Sequence, residues 1–278
     1  MKISVVITTP EVRVQPPLAL LSGTFQEKLA KAARLSYDGV ELMVVDPAQL
    51  DVQAVRAAVD GAGLEVPAIG TGALFLNEKL SLLAPDEEIS RLALARAKAI
   101  IDFAAGWGTL VTIGSFRGRL EWVGEPPSAR QHAVDLMREC ADWAARRGVR
   151  IVIEPLNRYE SDLVHNVQEA LEFIAEVERP NFGLLVDTFH MNIEEASITE
   201  GLRRAAPVLW HVHVGDSNRL PPGGGHLDFA EIVGTLREIG YEGYLSAELL
   251  AEPNPDAAAQ ATIEHLRRLI PIDGIGAG

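Results

Sequence analysis

The sequence predicts an α/β protein that folds as a single (β/α)8 TIM barrel over residues 1–278. One observation is that short β-branched apolar segments alternate with longer amphipathic segments, and this unit occurs eight times. Another is the length of the chain, since such barrels take about 250 residues and this chain has 278. A doubly wound open sheet would alternate in the same way. No glycine-rich fingerprint follows the first predicted strand, however, and this favours the closed barrel.

The eight predicted strands are short runs rich in β-branched and other apolar residues. They occupy residues 3–7, 40–44, 65–69, 109–113, 150–154, 183–187, 210–214 and 244–248. Amphipathic helices are predicted at residues 26–36, 51–62, 86–105, 128–147, 166–178, 194–205, 228–239 and 255–270. Two longer segments, 71–85 and 116–128, follow strands three and four and are expected as loops at the barrel mouth. Residues 271–278 are predicted to form a flexible tail.

Composition and charge exclude several classes of protein. The formal net charge is −14, so the surface repels phosphate backbones, and nucleic acid is not expected as a partner. No run approaches the ~20 apolar residues of a membrane span, and the apolar run near the N-terminus is too short for a signal peptide. The single cysteine, Cys140, precludes an internal disulfide. We therefore expect a cytoplasmic protein without a membrane partner.

Four successive predicted strands end at a residue that can bind a metal ion. These residues are Glu154, Asp187, His213 and Glu248. In a barrel the carboxyl ends of the strands surround the active-site mouth, so the four side chains are expected to converge there. Any one of them alone would be explained as a polar strand end, but three carboxylates buried together without a cation would repel one another. Three oxygen ligands and one nitrogen suit one divalent ion, with Mn²⁺ as first choice and Mg²⁺ or Co²⁺ as alternatives.

Several segments of the chain resemble a known family. The segments IEPLNRYE, VDTFHMNIEE, HVHVGDSNR, PGGGHLDF and YLSAELL resemble the xylose isomerase-like barrel superfamily. Within it, they are most similar to the ketose 3-epimerase branch, the group of D-tagatose 3-epimerase and D-psicose 3-epimerase. The motifs cover residues 150–250, whereas the N-terminal half matches only in its alternation of strands and helices.

The resemblance implies roles for individual residues. The metal ligands would be Glu154, Asp187, His213 and Glu248, and the two glutamates would also be the catalytic acid and base. Sugar hydroxyls and the carbonyl would be contacted by Glu160, His190 and Arg219. Similar enzymes are dimers or tetramers, so a homodimer or homotetramer is expected by resemblance. From its position in the sequence, Glu160 can equally form an ion pair with Arg158 or Arg219.

The implied chemistry agrees with the residues. An epimerase that inverts the carbon next to a ketone, C3 of a ketose or of a keto-sugar acid, must remove a proton from one face and return one to the other. A metal ion bound by neighbouring substrate oxygens would acidify that proton and stabilise the enediolate. Glu154 and Glu248 lie on strands five and eight of a closed ring, so they can approach the substrate from different sides.

The choice of substrate depends on the loop after strand four. Arg117 and Arg119 are two residues apart near the predicted mouth, and arginine binds carboxylates in a bidentate manner. Arg117 is therefore a candidate substrate contact, and the substrate would be a small sugar or a sugar acid. The alternative is that both arginines are solvated or pair with Glu121 and Glu125. Trp107 and Trp122 can stack on a sugar ring, although Trp107, which lies between two glycines, can equally pack in the core.

Other functions of the same superfamily remain open at this point. An aldose–ketose isomerase of the hydroxypyruvate isomerase type, or an inosose dehydratase, would use the same metal and glutamates. A non-enzymatic sugar-binding barrel is a further alternative. A DNA-repair endonuclease is excluded, because its site uses histidines from early strands and this chain has no histidine before His132. His211 is interpreted as a barrel-core histidine rather than a fifth ligand.

Overall fold

The computed structural model describes residues 1–125 and 127–272. Its centre is a closed barrel of eight parallel strands, which follow one another around the ring in sequence order. The strands are β1 (Lys2–Thr8), β2 (Gly39–Met43), β3 (Ala68–Gly70), β4 (Leu110–Ile113), β5 (Arg150–Ile153), β6 (Phe182–Asp187), β7 (Leu209–Val214) and β8 (Tyr244–Ala247). The ring closes by parallel pairing of β1 with β8. The predicted (β/α)8 fold is thereby confirmed.

The described helices surround this barrel. They are α1 (Phe25–Arg34), α2 (Val52–Gly61), α3 (Leu74–Glu78), α4 (Glu87–Ala105), α5 (Ser128–Ala145), α6 (Val167–Val177), α7 (Thr188–Glu194), α8 (Ile198–Ala205), α9 (Phe229–Glu238) and α10 (Pro255–Leu269). Short 3-10 helices lie at Pro47–Gln49, Ser115–Arg117 and Leu120–Trp122. In the part of the chain that the structure describes, no helix is long and apolar enough to cross a membrane.

Helix starts are set by side chains that accept hydrogen bonds from otherwise unpaired N–H groups of the first turn. Thr24 and Glu27 form a reciprocal capping box at the start of α1. Other helices begin after Asp51, Asp86, Asn166, Asp187, Ser197, Asp228 and Asn254, each of which caps its helix in this way. These polar residues at strand-to-helix junctions terminate each loop and position the following helix against the barrel.

The apolar core has two parts. The larger part lies between the barrel and its helices, and the smaller part lies among buried apolar residues of β3 to β6. This smaller layer contains Ala68, Leu110, Val152 and Leu185, with Trp210 packed against it. A Cβ on Gly183 would overlap the Trp210 ring, so glycine is needed there for the indole to fit.

Three predicted elements differ from those in the structure. Strand β3 begins at Ala68 rather than residue 65, because Pro67 has no N–H to donate and Glu65 makes only an isolated bridge with Gly39. The helix predicted over 194–205 begins only at Ile198, as α8, because Glu195 is extended and Ser197 is the N-cap, and the preceding α7 was not predicted. The segment 71–85 contains α3 rather than only loop.

Two further expectations concern single segments. Cys140 is fully buried in α5, and burial raises the pKa of its thiol to about 12, so it is a core residue rather than a reactive one. The expected tail over 271–278 lies, from residue 273 onward, outside the described residues.

Candidate metal and active site

The four predicted metal ligands lie together at the carboxyl ends of β5 to β8. Asp187 is the last residue of β6 and pairs directly with His213 on β7. Glu154 and Glu248 each follow the last residue of their strands, β5 and β8. One ligand atom from each of the four residues lies within 4.8 Å of all the others. Because these strands are parallel and in sequence order, the topology alone brings their ends together.

The arrangement of donor atoms suits a cation. Nδ1 of His213 lies 3.2 Å from Oε1 of Glu154 and 3.1 Å from Oε2 of Glu248. Oδ1 of Asp187 accepts a hydrogen bond from the N–H of Phe189, whereas among the described residues no atom hydrogen-bonds its buried Oδ2. An unpaired buried carboxylate oxygen is costly, and a bound divalent ion would remove that cost. The residues therefore fit the metal that the sequence predicts.

Burial also perturbs the titration of the carboxylates. Desolvation raises the pKa of Asp187 to about 7, although Arg219 acts in the opposite direction. Desolvation and the neighbouring Glu248 raise the pKa of Glu154, and the hydrogen bond from His213 only partly offsets this. A cation among these groups would favour their charged forms, because opposite charge lowers a carboxyl pKa.

Glu41 is a part of the site that the sequence did not reveal. It lies in the middle of β2, is 1% exposed, and points into the barrel toward β7. Its carboxylate lies 2.9 Å from Nε2 of His211 and 3.1 Å from Nε2 of His213. Burial alone would raise the pKa of Glu41, but His213 and His211 hold it well below its usual range. The carboxylate therefore accepts a hydrogen bond from each imidazole.

This contact determines the tautomer of His213. Although burial acts in the opposite direction, Glu41 and Glu248 raise the pKa of His213 well above its usual range, so a bound cation would have to displace the Nδ1 proton. Nε2 would keep its proton toward Glu41, and the Nδ1 lone pair would then face the space between Glu154 and Glu248. A carboxylate behind a metal-binding histidine is a common arrangement that orients the ring and makes its nitrogen a better ligand. His211 is fully buried against Glu41, as expected for a barrel-core histidine.

His190 lies beside Asp187 and Arg219 on the first turn of α7. Its Nδ1 accepts hydrogen bonds from the backbone N–H of Asn157 at 3.2 Å and from the side-chain amide of Asn157 at 2.8 Å. Burial and the charge of Arg219 lower the pKa of His190 far below its usual range, so the ring is neutral. The neutral ring therefore carries its proton on Nε2, which lies 3.9 Å from Oδ2 of Asp187.

Arg219 connects the remaining predicted substrate contacts. Its Nη1 lies 3.0 Å from Oε1 of Glu160, its Nη2 lies 3.4 Å from Nε2 of His190, and its guanidinium lies over the Phe189 ring. Of the two ion pairs that the sequence left open for Glu160, the structure shows the one with Arg219, since Arg158 pairs with Glu194. Asn157 also donates to Glu160, so these groups form one connected network.

The backbone of Arg219 is held in a left-handed conformation, with φ of 60°. Its N–H donates to the carbonyl of Asp216, and its own carbonyl accepts from the N–H of Leu250. The buried Asp216 side chain in turn accepts from the N–H groups of Ser217, Gly223 and Leu227. The glycine-rich loop after β7 is therefore closed around one aspartate, and this loop carries Arg219 to the mouth.

A cavity of about 240 Å³ opens above the metal-site residues. Its polar floor is formed by Glu154, Glu160, His213, Arg219 and Glu248. The other side is formed by the carboxyl ends of β2 to β4 and by segments that follow β1 to β5: Pro16, Pro17, Leu18, Met43, Gly70, Gly72, Leu76, Thr112, Gly114, Ser115 and Leu156. Among the described residues, Asp187 and His190 are not part of this lining and lie behind the floor. A polar floor with a largely apolar wall suits a small polyol.

Arg117 does not take the position that the sequence suggested. Its side chain is fully buried and donates to the carbonyls of Gly114, Glu154 and Leu163 and to the hydroxyl of Ser161. Within the described residues, the cavity lining does not include it. The expected substrate contact is therefore corrected: Arg117 joins the loops after β4 and β5, and every oxygen it reaches belongs to the protein.

Arg119, the second arginine of this loop, lies nearer the surface. It forms an ion pair with Glu121 at 3.0 Å, as the alternative interpretation of the sequence allowed.

Comparison with known proteins agrees with this site. The family model described as "Xylose isomerase-like TIM barrel" matches residues 29–269. The chain belongs to this family. The resemblance stated from its C-terminal motifs is thereby confirmed, and the family match extends through most of the N-terminal half as well.

Members of the family with similar sequences are epimerases. L-ribulose 3-epimerase from Methylomonas sp. (strain DH-1) is 31% identical over 248 residues, which are 86% of this chain and 82% of that protein. 3-Dehydro-D-guloside 4-epimerase from Escherichia coli (strain K12) is 31% identical over 235 residues, 80% of this chain and 86% of that protein. The solved structure of D-psicose 3-epimerase with D-tagatose from Clostridium cellulolyticum H10 has a TM-score of 0.79 at 24% identity, and covers 98% of this chain and 100% of that one. This last likeness shows a shared fold.

Proposed function

We propose that the protein is a divalent-metal-dependent epimerase that inverts the carbon next to a ketone, C3 of a ketose or of a keto-sugar acid. The observation that carries this proposal is the pair of buried glutamates, Glu154 and Glu248, on either side of Nδ1 of His213 at the floor of the cavity. The names of the relatives support the reaction type. In both a 3-epimerase of ribulose and a 4-epimerase of a 3-dehydro sugar, the inverted carbon is adjacent to the ketone.

The ion would be held by Glu154, Asp187, His213 and Glu248. We propose Mn²⁺, with Mg²⁺ or Co²⁺ as alternatives, because three carboxylate ligands suit a hard cation and Mn²⁺ accepts an imidazole more readily than Mg²⁺ does. When bound, it supplies Lewis acidity, which lowers the pKa of the C–H next to the carbonyl and stabilises the charge that develops there.

Proton transfer is the task of the two glutamates. Both side chains line the cavity and approach from different strands, so one carboxylate can remove a proton while the other returns one on the opposite side. Burial raises the pKa of Glu154, which favours its protonated form relative to that of an exposed glutamate. The pair can operate in either direction, and the configuration of the substrate decides which glutamate acts as base.

Arg219 and Glu160 of the floor would orient the substrate. Arg219 carries a positive charge that is reinforced by Asp187 and Glu248 despite its burial, and it lines the cavity where an oxyanion would develop. Within the described residues the neutral His190 does not line the cavity, and its N–H lies 3.9 Å from Oδ2 of Asp187, so it would support the floor rather than contact the substrate as predicted. Glu160 accepts from Arg219 and is positioned to accept from a sugar hydroxyl. The wall of Pro16, Pro17 and Leu18 restricts water on the other side.

The test is hydrogen exchange in D₂O, followed by NMR. The metal-loaded protein would be incubated with fructose, tagatose, psicose, 5-ketogluconate, tagaturonate and hydroxypyruvate. We expect deuterium at the carbon beside the ketone, together with the inverted product. Glu154→Gln and Glu248→Gln should each lower exchange by about 1,000-fold or more, since each removes an acid–base group. Glu242→Gln, an exposed glutamate at the opposite end of the barrel, serves as the matched control.

Other products would indicate the alternative reactions. An aldose product with label at C1 or C2 would identify an aldose–ketose isomerase, and loss of water from an inosose would identify a dehydratase. If no substrate exchanges with any of the three metals while the glutamine variants still bind the ion, the epimerase proposal is wrong. We also propose a homodimer or homotetramer, which sedimentation velocity would determine.

A further inference from the structure

A second cavity of about 300 Å³ adjoins the first at the mouth of the barrel. The two cavities share five lining residues: Gly72, Leu76, Ser115, Leu156 and Glu160. The residues that line only the outer cavity are Phe75, Gly118, Arg119, Trp122 and Ser161. Because one wall belongs to both, a ligand whose reacting end lies on the metal-site floor can extend directly into the outer cavity.

Aromatic side chains form the outer wall. Phe75 on α3 and Trp122 in the loop after β4 stack with their ring centroids 6.1 Å apart and an angle of 27° between the rings. Phe75 is 42% exposed and the neighbouring Leu76 is 38% exposed. Large apolar side chains that are left exposed beside a cavity mark a ligand-binding surface. Because Phe75 packs against Trp122 and Lys79 lies 5.3 Å from its ring centroid, the exposed edges of the two rings are what would offer apolar contact to the C–H groups of a sugar ring.

Polar groups lie at the edge of this aromatic wall. Ser115 is exposed on the wall that both cavities share, and Glu160 faces the same space. Arg119 forms an ion pair with Glu121 at 3.0 Å, so the pair as a whole has no net charge. The remaining N–H groups of the Arg119 guanidinium can still donate hydrogen bonds. This set of groups favours a neutral hydroxylated ligand over a carboxylate.

We propose that the outer cavity is a subsite for a second, neutral sugar ring, so that the substrate is a glycosylated keto-sugar rather than a free one. This inference rests on the proposed epimerase function. Pockets for drug-sized ligands span about 300–1,000 Å³, and the inner cavity of about 240 Å³ falls below that range, so it suits one ring. The outer cavity of about 300 Å³ is large enough for another.

The experiment compares fructose with three disaccharides in which glucose is linked to O1, O4 or O6 of fructose: trehalulose, maltulose and isomaltulose. The kcat/KM for deuterium exchange beside the ketone is measured for each. We expect at least one linkage to exceed fructose by about tenfold or more, a gain that one ring–aromatic contact can supply. The preferred linkage then identifies the fructose carbon that faces the outer cavity.

Variants connect that preference to the aromatic wall. Phe75→Ala and Trp122→Ala should each reduce the ratio of disaccharide to fructose kcat/KM by about tenfold, whereas Phe75→Tyr should retain it. The matched control is Tyr159→Ala, because Tyr159 is 78% exposed in the loop after β5 but lies outside both linings. Saturation-transfer NMR gives a second readout, since the glucosyl protons should receive saturation from the wild-type protein and lose it in Phe75→Ala.

The outcomes separate this subsite from the proposed reaction. If fructose exchanges but every disaccharide is poorer, or if the alanine variants leave the ratio unchanged, the subsite is wrong and the epimerase proposal stands. If no ketose exchanges yet the glucosyl protons still depend on Phe75 for saturation, the subsite stands as a binding site and the reaction is wrong. Absence of both signals overturns both.

Discussion

Replacement of Glu41 by glutamine tests how the barrel interior prepares the metal site. The Glu41 carboxylate accepts one hydrogen bond from His211 at 2.9 Å and one from His213 at 3.1 Å. A glutamine amide can accept one of these but must donate in place of the other. If it donates to Nε2 of His213, the ring proton moves to Nδ1, the atom that faces Glu154 and Glu248. The variant therefore either blocks the nitrogen that we propose binds the metal or loses the charge behind it.

The size of the effect follows from these two bonds. A hydrogen bond to a charged group contributes about 1.5–3 kcal/mol and a neutral one about 0.5–1.5 kcal/mol, so the exchange costs about 1–2 kcal/mol. That loss corresponds to metal binding that is about 5–30-fold weaker. Removing a group that hydrogen-bonds a metal ligand typically weakens metal binding by about 10–100-fold, which overlaps this value. We therefore expect Glu41→Gln to raise the Kd for Mn²⁺ by about 5–30-fold.

The assay is titration with Mn²⁺, with free ion followed by electron paramagnetic resonance and heat followed by calorimetry. Circular dichroism would verify that Glu41→Gln retains the fold. Glu41→Asp keeps the charge and should lose less affinity, while Glu242→Gln controls for the change in net charge. A folded Glu41→Gln protein that binds Mn²⁺ within twofold of wild type would refute the proposed role of Glu41.

Three further predictions concern single side chains. A Cβ on Gly114 would overlap Oε2 of Glu154, so Gly114→Ala should displace this carboxylate and lower kcat about 100-fold without a large change in Tm, and a near-normal kcat would contradict this. Arg117→Ala leaves several buried oxygens unpaired and should cost about 3–5 kcal/mol in urea unfolding, against at most about 0.5 kcal/mol for the more exposed Arg119→Ala. Equal losses would show that the burial of Arg117 contributes little. Burial raises the pKa of Asp187 to about 7, and, despite burial, Glu41 and Glu248 raise that of His213, so Mn²⁺ must displace protons at lower pH. The Kd should then fall by at least about tenfold per unit as pH rises from about 5.5 to 7, whereas a flat profile would exclude this linkage.

The grouping of the four metal-site residues could be predicted because it depends only on topology. Each stands at or just beyond the carboxyl end of its strand, and consecutive parallel strands in a closed ring bring those ends together. No knowledge of side-chain packing is needed for this step. The same rule placed the loops after β3 and β4 at the mouth, where the structure shows them.

Glu41 could not be predicted in the same way. It stands inside a strand, between Val40 and Leu42, and its partners His211 and His213 lie on β7. Contacts across the interior depend on the tilt and stagger of all the strands, which local periodicity does not encode. An isolated glutamate in an apolar strand is the signal that was available, since such a residue needs a buried partner.

Arg117 was assigned to the substrate site from the sequence but does not line the cavity within the described residues. An arginine in a polar loop is ordinarily exposed, and its charge suggested an acidic substrate. Its acceptors include the carbonyls of Leu163 and Val164, which lie in the loop after the next strand. Only the packing of the two loops shows that the guanidinium is used to join them. Neighbouring arginines in one loop therefore have different tasks, and their spacing does not distinguish them.

The residues that line the cavity come from two parts of the barrel, and substitutions in these two parts should have different effects on the reaction and on the choice of substrate. The acidic and basic groups of the floor come from β5 to β8, whereas most of the opposite wall comes from residues 16–18, 70–76 and 112–115. Apart from Gly114, whose Cβ would overlap Glu154, substitutions in those wall segments leave the proposed proton-transfer and ion-binding groups in place. A mutant library confined to them, with Gly114 kept, would sample new sugars while conserving the reaction. Natural divergence among relatives of this chain has the same route open to it.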